Sequence, residues 1–211
     1  MRVTTRAAAE LASHEGLVRQ AYKDSVGVWT WSIGITSASG HNVERYIGKP
    51  QTLEHCLAIW TWTLERYAND VRSVFGGHHL TEEQFAAALS FHYNTGAITK
   101  ASWVKKWKAG DVAGARKSIM DWKKPPEIIP RRMKERDLFF DGKWSGDGKV
   151  TEYTRLTSRN TPDWSSGRRV DITEALGGAQ EPPKPVSAPP IPKRPLIGFW
   201  ARLWAALTGG N

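Results

Sequence analysis

Apolar positions recur with two different periods along the first 142 residues. Between Thr5 and Ser13 a run of alanines and Leu11 makes an apolar stripe at helical spacing, and Gly16 is a natural stop just past its end. "LVRQAYKD" and "VWTWSIGI" are rich in β-branched and aromatic residues and predict two short strands joined across "SVG"; "TSASGHN" reads as a turn cluster. From Thr52 the period changes. Leu53, Leu57, Trp60, Leu64, Tyr67 and Val71 follow one another at spacings of three and four, which predicts a long helix. Thr81 with Gln84 forms a capping box ahead of "EEQFAAALSFHY". Gly110 ends a helix in "SWVKKWKAGD", Asp111 caps "VAGARKSIMDW", and Pro125–Pro126 stops it. Pro130 suits the first turn of "RRMKERDLFF", which Gly142 closes. The predicted fold class is α+β, mostly helical, with a small β-hairpin region near the N-terminus.

Beyond this body the pattern fades. Residues 143–178 are polar and turn-rich and predict an irregular extension packed on the domain, anchored by Trp144, Tyr153 and Trp164. Residues 179–195 are proline-rich, as an extended linker would be. In residues 196–211, Leu196, Phe199, Trp200, Leu203, Trp204 and Leu207 fall on one face of an amphipathic C-terminal helix. That face suits an anionic membrane interface, helped by Lys193 and Arg194; it suits equally docking on the protein's own surface or pairing between copies.

Composition narrows the classes. A chain of 211 residues, 40% hydrophobic and with 11 tryptophans, has material for one real core plus a tail. No window approaches the roughly 18 to 20 apolar residues of a membrane span, and "MRVTTRAAAELASHEG" has no signal-peptide core. The expectation is a chain made in the cytoplasm without a signal peptide. The net charge of +9 is uneven: residues 1–100 balance, whereas residues 101–142 carry 11 Lys and Arg against 6 Asp and Glu. A polyanionic partner follows, although no nucleic-acid motif is present, so nucleic acid is set aside. Cys56 stands alone among apolar neighbours and predicts a buried, inert thiol. The six histidines do not assemble a metal motif, and "DGKWSGDG" misses the spacing of a calcium loop. No metal and no cofactor are expected.

The chemistry concentrates in "EGLVRQAYKDSVGVWT". Cleaving a glycosidic bond takes a carboxylic acid that protonates the leaving oxygen and a second carboxylate that activates water or attacks the sugar. Glu15, at the C-terminal end of an apolar helix, is placed where dryness and the helix dipole favour the protonated acid. Asp24, in the "KDSVG" turn, would stay charged and reachable by water. Thr30, on the second strand, could hold a water for attack.

"EGLVRQAYKDSVGVWTWSIGIT" resembles the signature of phage-type lysozymes, the endolysins of glycoside hydrolase family 24. Glu15, Asp24 and Thr30 match that family's catalytic Glu, Asp and Thr. Further similarities follow in order: "SFHYNTGAI" resembles the central-helix segment, "KAGD" a later turn, and "MDWKKPPEIIPRRMKERDLFF" the closing helices. The likeness covers roughly residues 5–142. One departure is Ser32-Ile33-Gly34-Ile35-Thr36, where the family usually has Gly-Tyr-Gly-His-Thr.

The resemblance implies hydrolysis of the β-1,4 bond between N-acetylmuramic acid and N-acetylglucosamine in peptidoglycan, by a monomer, without a cofactor. Glu15 would be the general acid, with Asp24 as base or electrostatic stabiliser and Thr30 orienting water, which gives an inverting outcome. By similarity, Thr36, Tyr93, Asn94 and Ser102 would bind substrate; Tyr93 reads equally as a core aromatic. Arg131 or Arg132 would lie beside Glu15 and tune its ionisation. Without the N-terminal tethering helix of some relatives, the enzyme would reach the wall through a separate membrane pore. Two rivals remain at this level: a lytic transglycosylase on the same bond, and a non-catalytic cationic binder of membrane or cell wall.

Overall fold

Thr4 starts the first helix by accepting the Ala7 N–H on its side chain at 3.0 Å. α1 (Thr5–Ser13) turns Ala7, Ala8, Leu11 and Ala12 into the core and ends at His14. The Glu15 N–H still reaches Ala12 O at 2.9 Å, and the next residue already belongs to β1 (Gly16–Lys23). β2 (Trp29–Ser32) and β3 (Ile35–Thr36) follow as an antiparallel meander. The hairpin region is therefore present, with a third short strand after Gly34, which holds a left-handed φ of +77°. The computed structural model describes residues 1–178; the expected proline-rich linker and tail helix over 179–211 lie outside the described residues.

The helical body forms as its caps and periods dictate. α2 (Leu53–Val74) begins at Thr52, and α3 (Glu82–Thr95) at the Thr81–Gln84 capping box. α3 is the central helix, buried on every side from Phe85 to Asn94. α4 (Ser102–Lys108), α5 (Val112–Ser118) and α6 (Ile129–Asp141) complete it, with Asp111 capping α5 and Pro130 in the first turn of α6. Trp31, Trp60 and Trp103 lie fully inside one core with Phe85 and Phe91. Cys56 is in that core, and burial pushes its thiol up to about 12. Among the described residues no helix is long and apolar enough to cross a membrane.

The irregular extension expected over 143–178 is instead regular. It supplies β4 (Lys149–Tyr153), β5 (Gly167–Asp171) and α7 (Thr173–Gly177). β4 lies parallel to β1, and β5 antiparallel to β4, giving one five-stranded mixed sheet of order β3-β2-β1-β4-β5. Val150, Ile172 and Leu176 reach into the main core. The segment reads as loop because β5 is a charged, mostly exposed edge strand, and because the partner that makes β4 a strand lies 135 residues away in the chain. Trp144 does anchor it: the ring lies 4.1 Å from the Arg6 guanidinium and donates to Glu83 Oε1 at 3.2 Å.

Candidate active site

Glu15 is the second of the two residues, His14 and Glu15, that step from α1 to β1, and it is 1% exposed. The dry setting expected of it is there, but so is an arginine. Arg131 on α6 donates from Nη1 to Glu15 Oε1. The same guanidinium donates from Nε to Glu135 Oε1 at 2.9 Å and from Nη2 to Ser90 O at 3.1 Å. Arg132, buried beside it, donates from Nη1 to Glu135 Oε2, from Nη2 to Asn94 Oδ1 at 2.8 Å and from Nε to Trp122 O at 3.1 Å. Ser90 Oγ donates to Glu135 Oε1 at 2.6 Å.

The charges in this cluster do not share burial equally. Dehydration works against the Arg131 cation, yet Glu15 and Glu135 together raise its affinity for the proton. Arg132 shows the opposite result: burial lowers it, and Glu135, which it shares with Arg131, does not make up the loss. Dehydration would raise Glu135, but Arg132, Arg131 and Ser90 hold its carboxyl below the usual range. Phe91, with its ring 4.6 Å from the Arg132 guanidinium, gives that side chain an aromatic face as well.

Asp24 follows the last residue of β1, at the other end of that strand from Glu15. It was expected to be open to water and is instead 7% exposed. The turn closes over it: Oδ1 accepts the Val26 N–H at 3.0 Å and the Val28 N–H at 2.9 Å. Two amide dipoles take the place that water would have had. Val28 O in turn accepts the Asp24 N–H at 3.0 Å and the Thr30 hydroxyl at 3.1 Å, so Asp24 and Thr30 are tied to one carbonyl. Thr30 pairs with Tyr22 across β1–β2 and with Thr36 across β2–β3.

The other sequence candidates fall in different places. Thr36 is buried next to Thr30 in the sheet. Asn94 is buried and holds Arg132. Ser102 is exposed at the start of α4, with its hydroxyl 2.8 Å from that of Ser118. Tyr93 is a core aromatic: it is buried, donates to Ile33 O, and accepts from Trp60 Nε1 at 3.3 Å. That hydroxyl lies 3.3 Å from where a Cβ on Gly34 would sit, so the pin also explains the glycine.

Residues 12–135 match the Phage lysozyme family. The chain belongs to that family. Its members are glycoside hydrolases that degrade peptidoglycan, and this chain is one of them. It is 29% identical over 153 residues to an endolysin of Acyrthosiphon pisum secondary endosymbiont phage 1, covering 66% of this chain and 98% of that one. Among solved structures it is similar to an endolysin from Escherichia coli O157:H7 phage FAHEc1, with 22% identity, a TM-score of 0.58, and coverage of 69% of this chain and 97% of that one. It is also similar to the muramidase domain of SpmX from Asticaccaulis excentricus, with 23% identity, a TM-score of 0.55, and coverage of 65% and 97%. The family match takes in Glu15, Asp24, Thr30 and the Arg131–Arg132–Glu135 cluster, and ends before the extension.

Two residues of this cluster were given no role from sequence. Glu135 carried a signal, since acidic and basic side chains three and four apart on one helix meet, as Arg131, Arg132 and Glu135 do. Ser90 carried none, because a serine inside an apolar helix is ordinarily a small core residue.

Proposed function

We propose that this lysozyme cleaves the β-1,4 bond between N-acetylmuramic acid and N-acetylglucosamine in peptidoglycan. Glu15 is the general acid, Asp24 the charged partner that acts as base or stabiliser, and Thr30 orients the attacking water, with inversion at the sugar carbon. The observation that carries this reading is the tie between Asp24 and Thr30 at the Val28 carbonyl, one strand-length from a buried Glu15. The Asp24 carboxylate accepts the Val28 N–H and the Thr30 hydroxyl donates to the Val28 carbonyl, so one residue fixes both side chains to hold a water between them, while the acid stands apart on the other side of the bond.

Arg131 fixes the Glu15 side chain, and Glu135, itself held by Arg132, fixes Arg131. Thr36 lines the same corner as Thr30, and Ser102 is an exposed contact for the substrate. Membrane contact through residues 196–211 belongs to the proposal as well, supported by their amphipathic pattern.

The test is digestion of purified peptidoglycan in 18O-water by wild type and Glu15→Gln, with products resolved by mass. Wild type should give reducing ends carrying one solvent oxygen. Glu15→Gln should lose about 10³-fold or more in rate while staying folded. Anhydro-sugar ends would replace the hydrolase by a transglycosylase. Full activity in Glu15→Gln would remove the catalytic assignment.

A further inference from the structure

β1 separates the two carboxylates, since Glu15 precedes its first residue and Asp24 follows its last. The strand is not regular. Val18 lies opposite Ser32 and Tyr22 opposite Thr30, so β1 spends more residues than β2 over the same stretch. The surplus falls on Arg19, Gln20 and Ala21. A bulge of this kind bends and twists its strand, and so helps to decide how the two ends face each other.

A bulge takes the course its anchors select. Two anchors come from the first 142 residues: Arg19 O accepts Trp31 Nε1 at 2.8 Å and the Gln51 N–H at 2.9 Å. The third comes from the extension. Arg19 Nε lies 2.7 Å from Glu152 Oε1, and Arg19 Nη2 donates to Glu152 Oε2 at 3.2 Å. Glu152 is buried on β4 and also accepts from Arg168 Nε at 3.0 Å.

The extension meets β1 again on each side of the bulge. Gly16 and Leu17 pair with Thr151 and Glu152 just after Glu15. At the other end the Lys23 N–H donates to Asn160 O at 2.8 Å, one residue before Asp24. Asn160 holds φ of +60° at the tip of a turn closed by Thr157 and Thr161. Between these points Val18 and Tyr22 pack on Tyr153, with Leu156 and Trp164 against them.

We propose that residues 143–178 splint the catalytic strand, and that Glu152 is a positioning residue that holds the Arg19 bulge and thereby sets Glu15 and Asp24 for the reaction. The proposal rests on the hydrolase reading above and goes beyond it, because the extension lies outside the family match. Misplacing a catalytic group by about 1 Å from a distance can cost on the order of 10²-fold in rate. Such a defect falls on the chemical step more than on ground-state binding.

The experiment uses the full chain with Glu152→Gln, Arg19→Met, the double variant and Arg168→Ala, each corrected for folded fraction by circular dichroism. Glu152→Gln and Arg19→Met should each lower kcat about tenfold with KM within about twofold. The double variant should be no worse than the poorer single one. Arg168→Ala leaves the Arg19–Glu152 pair intact and should keep wild-type kcat. Wild-type kcat in Glu152→Gln, or an equal loss in Arg168→Ala, overturns the splint. If Glu152→Gln does not fold, Arg19→Met decides alone, and an unchanged kcat there overturns it. Glu15→Gln run alongside keeps the two ideas apart: activity in that variant removes the hydrolase reading itself, whereas an inactive Glu15→Gln beside a fully active Glu152→Gln removes the splint alone.

Discussion

Glu15 and Asp24 stand at the two ends of one strand and are held in opposite ways. Glu15 is gripped by Arg131, a side chain 116 residues away, which is itself braced by Glu135 and Ser90. Asp24 is gripped by the amides of Val26 and Val28, two and four residues along. One carboxylate depends on the packing of α6 against α3; the other depends on a turn that a short peptide could form. The difference teaches where each is vulnerable. Disturbing the helical body should damage the acid first, whereas the aspartate should respond to changes within its own turn and in the strand that leads to it.

The sharpest way to break this contrast is Arg131→Met. It removes the shared cation and leaves Glu15 and Glu135 dehydrated beside Arg132 alone. Breaking a buried ion pair from one side costs about 3 to 5 kcal/mol, and urea unfolding should show a loss of that order. Activity should fall with it, since the acid loses its hold. A stability loss below about 1 kcal/mol would mean that the cluster repacks and that Glu15 is not held by α6.

Asp24→Asn should give the complementary result. The amide oxygen can still accept the Val26 and Val28 N–H groups, so melting should move little. Catalysis should drop by about 10² or more, because no charge is left to activate water or balance the sugar cation. Asp24→Ala adds the loss of two hydrogen bonds, worth roughly 1 to 2 kcal/mol together. Equal stability in the Asn and Ala variants would show that the turn does not need the side chain.

This contrast also explains what was legible in the chain. Asp24 could be placed from "KDSVG" because its partners are in the same few letters. Thr81 and Asp111 were legible as caps for the same reason, and each caps as read. Glu15 could be placed at a helix end, but its guanidinium partner became visible only through resemblance, since no local pattern joins residues 15 and 131. Tyr93 and Asn94 follow the same rule. A helical pattern shows that they sit on α3, not that one pins Ile33 and the other holds Arg132. β4 was missed because a parallel strand is specified by a distant neighbour, and β5 because its two exposed arginines, which pair with Glu152 and Asp147, look like loop.

Glu10 combines the two modes and gives the smallest, most discriminating test. It lies on α1 like the approach to Glu15, yet it is held by main-chain groups like Asp24, and those groups come from the far end of the domain. Ser145 N–H and Gly146 N–H reach its Oε2 at 2.9 and 2.6 Å, and His14 Nε2 lies 3.4 Å from Oε1. Gly146 suits this approach, since a Cβ would lie 3.0 Å from that carboxylate and 3.1 Å from the Glu10 Cα, and α1 would have to give by a few tenths of an ångström. Burial would raise the Glu10 carboxyl, but His14, Ser145 and Gly146 hold it at about 2 against an ordinary value of 4.5. A depressed carboxyl stabilises the fold fully above its unfolded value and loses that contribution as pH falls through its folded value. The melting difference between wild type and Glu10→Gln should therefore close as pH falls from 4.5 to about 2. Other carboxylates titrate in both proteins, so the difference isolates Glu10. A gap that does not change as pH falls through this range would mean that Ser145 and Gly146 hold the extension to α1 without drawing on the charge.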